Sequence, residues 1–156
     1  MPVAIHVATP TDAVLVAEMA TALTTEIIER TGIQHFNVDL QETTRLCRRL
    51  IDSQSYVALV ATDNSIPVGF AGLCESHALY TEGTFGIVQE FYVIPLARSS
   101  GVGAALLKAA SDHARSSGWR RLELCTPPLP EFHRSLAFYE RYGFEVTGGR
   151  KMKYIV

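Results

Sequence analysis

At 156 residues, with 47% hydrophobic and 19% charged side chains, the chain has the composition of one soluble globular domain, 1–156, with room for a proper core. A formal net charge of −2 without a long basic run argues against nucleic acid as a partner, and no apolar run approaches the roughly 20 residues of a membrane span. Three widely spaced cysteines, Cys47, Cys74 and Cys125, fit reduced thiols in a cytoplasmic protein better than a disulfide framework or a zinc site, so no metal is expected.

The opening Met-Pro-Val-Ala-Ile-His lacks the charged and apolar regions of a secretion signal. Val3 to Ala8 alternate weakly and suit a first strand. Thr9-Pro10-Thr11-Asp12 then has the form of a helix start: Thr9 as N-cap, Pro10 at the first helical position, Asp12 closing a capping box. Val16, Ala20, Leu23 and Ile27 share one face of that helix, and Thr31-Gly32 ends it. A second helix begins at Asp39 and carries Leu40, Thr43, Cys47 and Leu50 inward. The connector Ile33 to Val38 contains His35 and Phe36, with Ile33 and Phe36 expected to tuck into the core.

From Ser55 the pattern changes. Tyr56 to Ala61 is too continuously apolar for an exposed edge strand, Thr62 to Ser65 is a turn cluster, and Val68 to Glu75 completes a hairpin. His77 to Gly83 is a polar connection, and Phe85 to Ile94 is the third strand of the meander, stopped by Pro95. Val102, Leu106, Leu107, Ala110 and Ala114 mark one buried stripe of a helix, with Lys108 and Asp112 paired outward. Ser117-Gly118 ends it, and Trp119 to Thr126 is another strand, which makes a βαβ unit. After Pro127 to Pro130, residues Glu131 to Tyr142 are helical, with Leu136, Phe138 and Tyr139 inward and Gly143 as stop. Phe144 to Thr147 and Met152 to Val156 close the chain as two short strands.

Chemistry concentrates between the third meander strand and the following helix. Arg98-Ser99-Ser100-Gly101-Val102-Gly103-Ala104 joins a proline-terminated strand to an amphipathic helix. Glycines let backbone N–H groups approach a ligand, and the first helical turn adds unpaired donors and a positive dipole end, a combination that binds phosphate. A Gly-x-Gly pair alone is weak, but its place here and the arginine ahead of it favour anion binding. There is no Gly-Lys-Ser/Thr ending, and no acidic residue on a second parallel strand, so neither a mononucleotide P-loop nor a dinucleotide fold is indicated.

The element order, the Arg98 to Gly103 loop after Tyr92-Val93-Ile94-Pro95, and Ser135-Leu136-Ala137-Phe138-Tyr139-Glu140-Arg141-Tyr142-Gly143-Phe144-Glu145 together resemble the GCN5-related N-acetyltransferase (GNAT) family. The resemblance covers nearly the whole chain and is strongest in its C-terminal half. It implies an α/β acyl-CoA acyltransferase fold, with a mixed sheet of about seven strands and four helices. It further implies acetyl-CoA as co-substrate and a small-molecule or peptide amine as acceptor. Phe91, Tyr92 and Val93 would pair with the pantetheine arm by strand addition beside a bulge. Arg98, Ser99, Ser100, Gly101, Val102, Gly103 and Ala104 would hold the pyrophosphate, with Ser135 also on the cofactor side. Tyr139 matches the family tyrosine that protonates the leaving thiolate. A phenol with a pKa of about 10 keeps that proton at neutral pH. On spacing alone an aromatic inside an amphipathic helix is more often core, and it is the resemblance that puts the catalytic reading ahead.

Two readings stay open for Glu90: a base or substrate-binding carboxylate, or a solvent-facing strand residue. A CoA-binding sensor without turnover and a partner-binding member are the alternatives to an enzyme, and the resemblance leaves a homodimer open. Two departures stand out: Ser99 where many relatives have glycine, and Phe132 where many have asparagine. The acceptor site is expected between the first two helices, the His35–Phe36 loop, the His77 to Gly83 connection and Pro127 to Glu131, with Glu26, Glu29, Glu75, Glu82 and Glu131 available to a cationic amine.

Overall fold

A computed structural model describes residues 2–34 and 36–156, so His35 lies outside the described residues. The chain divides into two units, Met1–Leu124 and Cys125–Val156. The first contains β1 (Val3–Val7), α1 (Ala13–Thr31), α2 (Leu40–Asp52), β2 (Val57–Asp63), β3 (Ile66–Ala78), β4 (Gly83–Val93), α3 (Val102–Ser116) and β5 (Leu122–Leu124). The second contains α4 (His133–Arg141).

Local chemistry sets the helix ends. Pro10–Asp12 forms a 3-10 turn leading into α1, and the Thr9 N–H donates to Asp12 Oδ2 at 2.8 Å, one half of the expected capping box. The Asp39 carboxylate caps α2 by accepting from the Glu42 N–H at 3.1 Å. Gly32, at φ +70°, ends α1 in the left-handed conformation.

The sheet runs β1-β2-β3-β4-β5, antiparallel through β4 and parallel between β4 and β5. Asn64 and Ser65, at φ +49° and +68°, form the two-residue turn of the β2–β3 hairpin. Both faces of the sheet are covered. Val16, Met19, Cys47 and Ile51 pack against Ala58, Val60, Phe70 and Tyr92 on one face. Val102, Leu106, Ala110 and Ala114 pack against Leu59, Ala61, Ala71, Leu73 and Val88 on the other. Successive residues of β2 therefore bury on opposite faces, which is why that strand does not alternate in hydrophobicity. All five apolar positions expected of α3 are buried. Trp119 follows α3, with its indole N–H donating to Glu75 Oε2 at 2.8 Å and its ring meeting His113 edge-on. Among the described residues no helix is long and apolar enough to cross a membrane.

Several expectations need correction. The described residues form five strands, not seven. Phe144 to Thr147 and Met152 to Val156 make no ladder, and Val146, Met152, Tyr154, Ile155 and Val156 are exposed. A short apolar segment becomes a strand only when a neighbour takes its backbone groups, and Gly148 and Gly149, both at positive φ, add no stiffness between these two. Ile33 and Phe36 are 49% and 43% exposed instead of tucked away. Their loop is closed by its own polar groups, with Gln34 Nε2 donating to the Phe36 carbonyl at 2.6 Å. On α2, Cys47 is buried as expected and Thr43 and Leu50 are partly buried, but Leu40 is exposed and Ile51 joins the inward stripe in its place.

Candidate active site

The parallel ladder between β4 and β5 stops at Val88 opposite Leu124. At the same point the register of β4 against β3 slips: Leu73 faces Val88, yet Gly72 faces Glu90. Gln89 is therefore the extra residue of a β-bulge, which bends β4 and ends its pairing with β5. Beyond the bulge, the Ile94 N–H donates to the Val68 carbonyl at 2.9 Å. Strand alternation then turns the backbone of Tyr92 toward β3 and that of Phe91 and Val93 toward the opposite edge. The bulge thus presents peptide groups where the sheet has opened. The Tyr92 ring is buried on the α1 and α2 face.

Glu90, half-buried on that same face, accepts a hydrogen bond from the Tyr56 hydroxyl at 2.5 Å. This removes the reading of Glu90 as an ordinary solvent-facing strand residue. Gly72 makes the contact possible. A Cβ on Gly72 would lie 1.6 Å from the Tyr56 hydroxyl oxygen, so only glycine opposite Glu90 admits the ring. Burial pushes the Tyr56 phenol well above its ordinary pKa, and the charge and hydrogen bonding of Glu90 push it further. Tyr56 is therefore the proton donor of the pair.

The loop after β4 starts with a 3-10 turn at Pro95–Ala97. Ser99 and Gly101 sit at φ +62° and +93°, and the Ser100 hydroxyl donates to the Ala97 carbonyl at 2.5 Å. This turns the chain so that α3 begins with glycine as N-cap and Val102, Gly103 and Ala104 as its first turn. The first intrahelical bond runs from the Ala105 N–H to the Gly101 carbonyl, leaving the N–H groups of Val102, Gly103 and Ala104 without acceptors inside the helix. The donor set fits an anionic diphosphate, and the edge beyond the bulge fits a chain of amides.

Arg98 is placed differently from a loop arginine aimed at phosphate. Its Nε donates to the Val93 carbonyl at 2.8 Å, and its two terminal nitrogens reach the Glu26 carboxylate at 2.7 and 3.3 Å. Its guanidinium also lies 5.6 Å from the centre of the Tyr92 ring. Burial raises the Glu26 pKa, but hydrogen bonds and charge from Arg98, with Arg30, outweigh that and hold the carboxyl below the ordinary range. Glu26 also lines an open depression of about 570 Å³, together with Glu18, Glu29, Val38, Leu40 and Tyr92. The expected acceptor walls on α1 and α2 thus line one hollow, whereas His77, Glu82 and Gly83 line another, of about 410 Å³.

In the second unit, Ser135 and Tyr139 stand one turn apart on α4, on the same face of the helix. Tyr139 is 7% exposed, and its ring packs edge-on against Phe138 and Phe144 at 5.4 and 5.7 Å. Burial pushes its phenol far above its ordinary pKa, so it carries a proton throughout the neutral range. The aromatic is therefore both packed and able to donate. Phe132, at the position where an asparagine is common, is buried instead of polar.

Sequence reasoning missed Tyr56, Gly72 and the bond from Arg98 to Glu26. The apolar run at residues 56–61 absorbed Tyr56 as a strand residue, and Gly72 looked like any glycine within a strand. No local pattern joins residues 34 positions apart, as Tyr56 and Glu90 are.

The family described as "Acetyltransferase (GNAT) domain" matches residues 54–146. The uncharacterized N-acetyltransferase YhfO of Bacillus subtilis (strain 168) is 32% identical over 111 residues, 71% of this chain and 73% of its own length. The aminoglycoside N(6')-acetyltransferase type 1 of Stenotrophomonas maltophilia is 34% identical over 106 residues, 65% of this chain and 67% of its own length. The crystal structure of a predicted acetyltransferase with acetyl-CoA from Clostridium acetobutylicum superposes with a TM-score of 0.78 over 98% of this chain and 96% of that one. At 18% identity that is a likeness of fold.

Proposed function

Because the chain belongs to the GNAT acetyltransferase family and is an N-acetyltransferase, we propose that it moves the acetyl group of acetyl-CoA directly to an amine of a small molecule or peptide. The observation that carries this reading is the bulge at Gln89, which ends the β4–β5 ladder one residue before Glu90 and leads into a loop with glycine as its helix cap. Acetyl-CoA, when bound, supplies the activated acetyl group. Phe91 and Val93 offer backbone groups to its amide arm, and Tyr92 is the buried residue that anchors the strand between them. Ser99, Ser100 and Gly101 shape the turn, and the N–H groups of Val102, Gly103 and Ala104 hold the pyrophosphate. Arg98, paired with Glu26 and the Val93 carbonyl, ties the start of that loop to α1 and the end of β4, and would reach phosphate only by giving up Glu26. Ser135 lies on the same side of α4 as Tyr139 and serves the cofactor.

Glu90 takes a proton from the acceptor nitrogen, directly or through water, so that its lone pair can attack. Tyr139 gives its proton to the departing thiolate. Holding the two substrates side by side supplies much of the remaining rate. The carboxylates of Glu18, Glu26 and Glu29 favour a cationic acceptor in the depression they line, in keeping with a relative named for aminoglycosides.

Thiol release with acetyl-CoA and a panel of amines tests the reaction. Tyr139→Phe is expected to lower kcat by roughly two orders of magnitude while leaving CoA affinity within a few-fold. An unchanged kcat would remove Tyr139 from the role of acid. Saturable CoA binding without turnover on any amine would instead favour a sensor.

A further inference from the structure

Tyr56 comes from the segment just ahead of β2, Gly72 from β3 and Glu90 from β4, yet the three converge on one hydrogen bond. A half-buried phenol needs a partner, and a backbone carbonyl would satisfy that need as well as a carboxylate does. Instead the hydroxyl ends on the one carboxylate that follows the bulge, at 2.5 Å, in space that a single methyl group on Gly72 would fill. Holding one carboxylate oxygen fixes where the other can point.

We infer that Tyr56 is a positioning residue for Glu90: its hydroxyl, admitted by Gly72, holds the carboxylate in the ionised form and orientation needed to accept a proton from the amine. This rests on the reading of Glu90 as the base. Among the described residues, Cys47 from α2 and Cys74 from β3 also face Glu90. Burial first, and the Glu90 charge second, raise both thiols above their ordinary pKa, so neither ionises alongside Glu90 in the neutral range. Tyr56 likewise keeps its proton there. A donor that cannot itself ionise stabilises the carboxylate across the whole working range.

The test compares wild type, Tyr56→Phe, Gly72→Ala and Glu90→Gln. The first readout is the Glu90 carboxyl titration in ligand-free protein, followed by carbon-13 NMR and assigned by its absence in Glu90→Gln. The second is the pH profile of kcat/KM. Phenylalanine keeps the ring and its packing. Tyr56→Phe is therefore expected to fold and to move the titration midpoint and the acid limb upward together by about one to two pH units. Gly72→Ala should shift both in the same direction, because its methyl group displaces the ring. If Tyr56→Phe changes only the melting temperature and both titrations overlay wild type, the hydroxyl merely stabilises the fold and the assignment is wrong. If Glu90→Gln turns over like wild type, the base reading fails, whatever Tyr56 does to the carboxyl titration.

Discussion

Ser99 holds a backbone conformation that residues with a Cβ avoid, at φ +62°, two positions before Gly101 at +93°. The left-handed region costs a serine on the order of 1 kcal/mol, part of which glycine would return as unfolded-chain entropy. Ser99→Gly is therefore expected to stabilise the protein by about 0.5 kcal/mol, measured by urea unfolding at constant slope. Destabilisation would mean that the serine side chain makes a compensating bond. This position was legible as a departure from the family loop, because the loop signature is local. The bond from Tyr56 to Glu90 was not, since it depends on a missing side chain at Gly72 and on pairing between distant strands.

At the level of elements, β4 shows the limits of periodicity. Its existence and its proline stop could be read from composition, but a one-residue slip at Gln89 leaves no compositional mark. The resemblance supplied the expectation of a bulge; the register located it. The tie between α1 and the loop, Glu26 with Arg98, was equally invisible, because ion pairs across elements have no spacing rule. Its pH behaviour follows from the depressed Glu26 pKa. A carboxyl whose folded value lies below the ordinary 4.5 contributes fully above that value and loses its contribution as pH falls through the folded one. Glu26→Gln should therefore lower stability near pH 7 by no more than about 1 kcal/mol, and the difference should vanish in the acid range. Unfolding curves at a series of pH values check this. A difference that persists undiminished at low pH would assign the effect to packing.

At the scale of the whole molecule, the class of the chain and four of its seven expected strands needed only boundary adjustments, and the buried stripe of α3 was read correctly at every position. The strand after α3 survives as three residues because the bulge turns β4 away from it. The last two expected strands failed for a different reason: hydrophobic patterning can propose a strand but cannot supply its neighbour. Likewise the depression beside Glu26 depends on α1 and α2 side chains whose arrangement follows from tertiary packing.

Trp119 gives the molecule an optical property that follows from its position. It is the sole indole in 156 residues, it lies in the first unit, and its N–H is bonded to Glu75 on β3. Emission excited selectively at this residue therefore reports the loss of its own surroundings on the sheet and α3. Far-ultraviolet ellipticity, by contrast, sums over every helix, α4 included. Coincident denaturant midpoints for the two signals are the expected outcome of all-or-none unfolding. Separated midpoints would show that helices away from Trp119 melt apart from the sheet and α3, while the fluorescence still looked native.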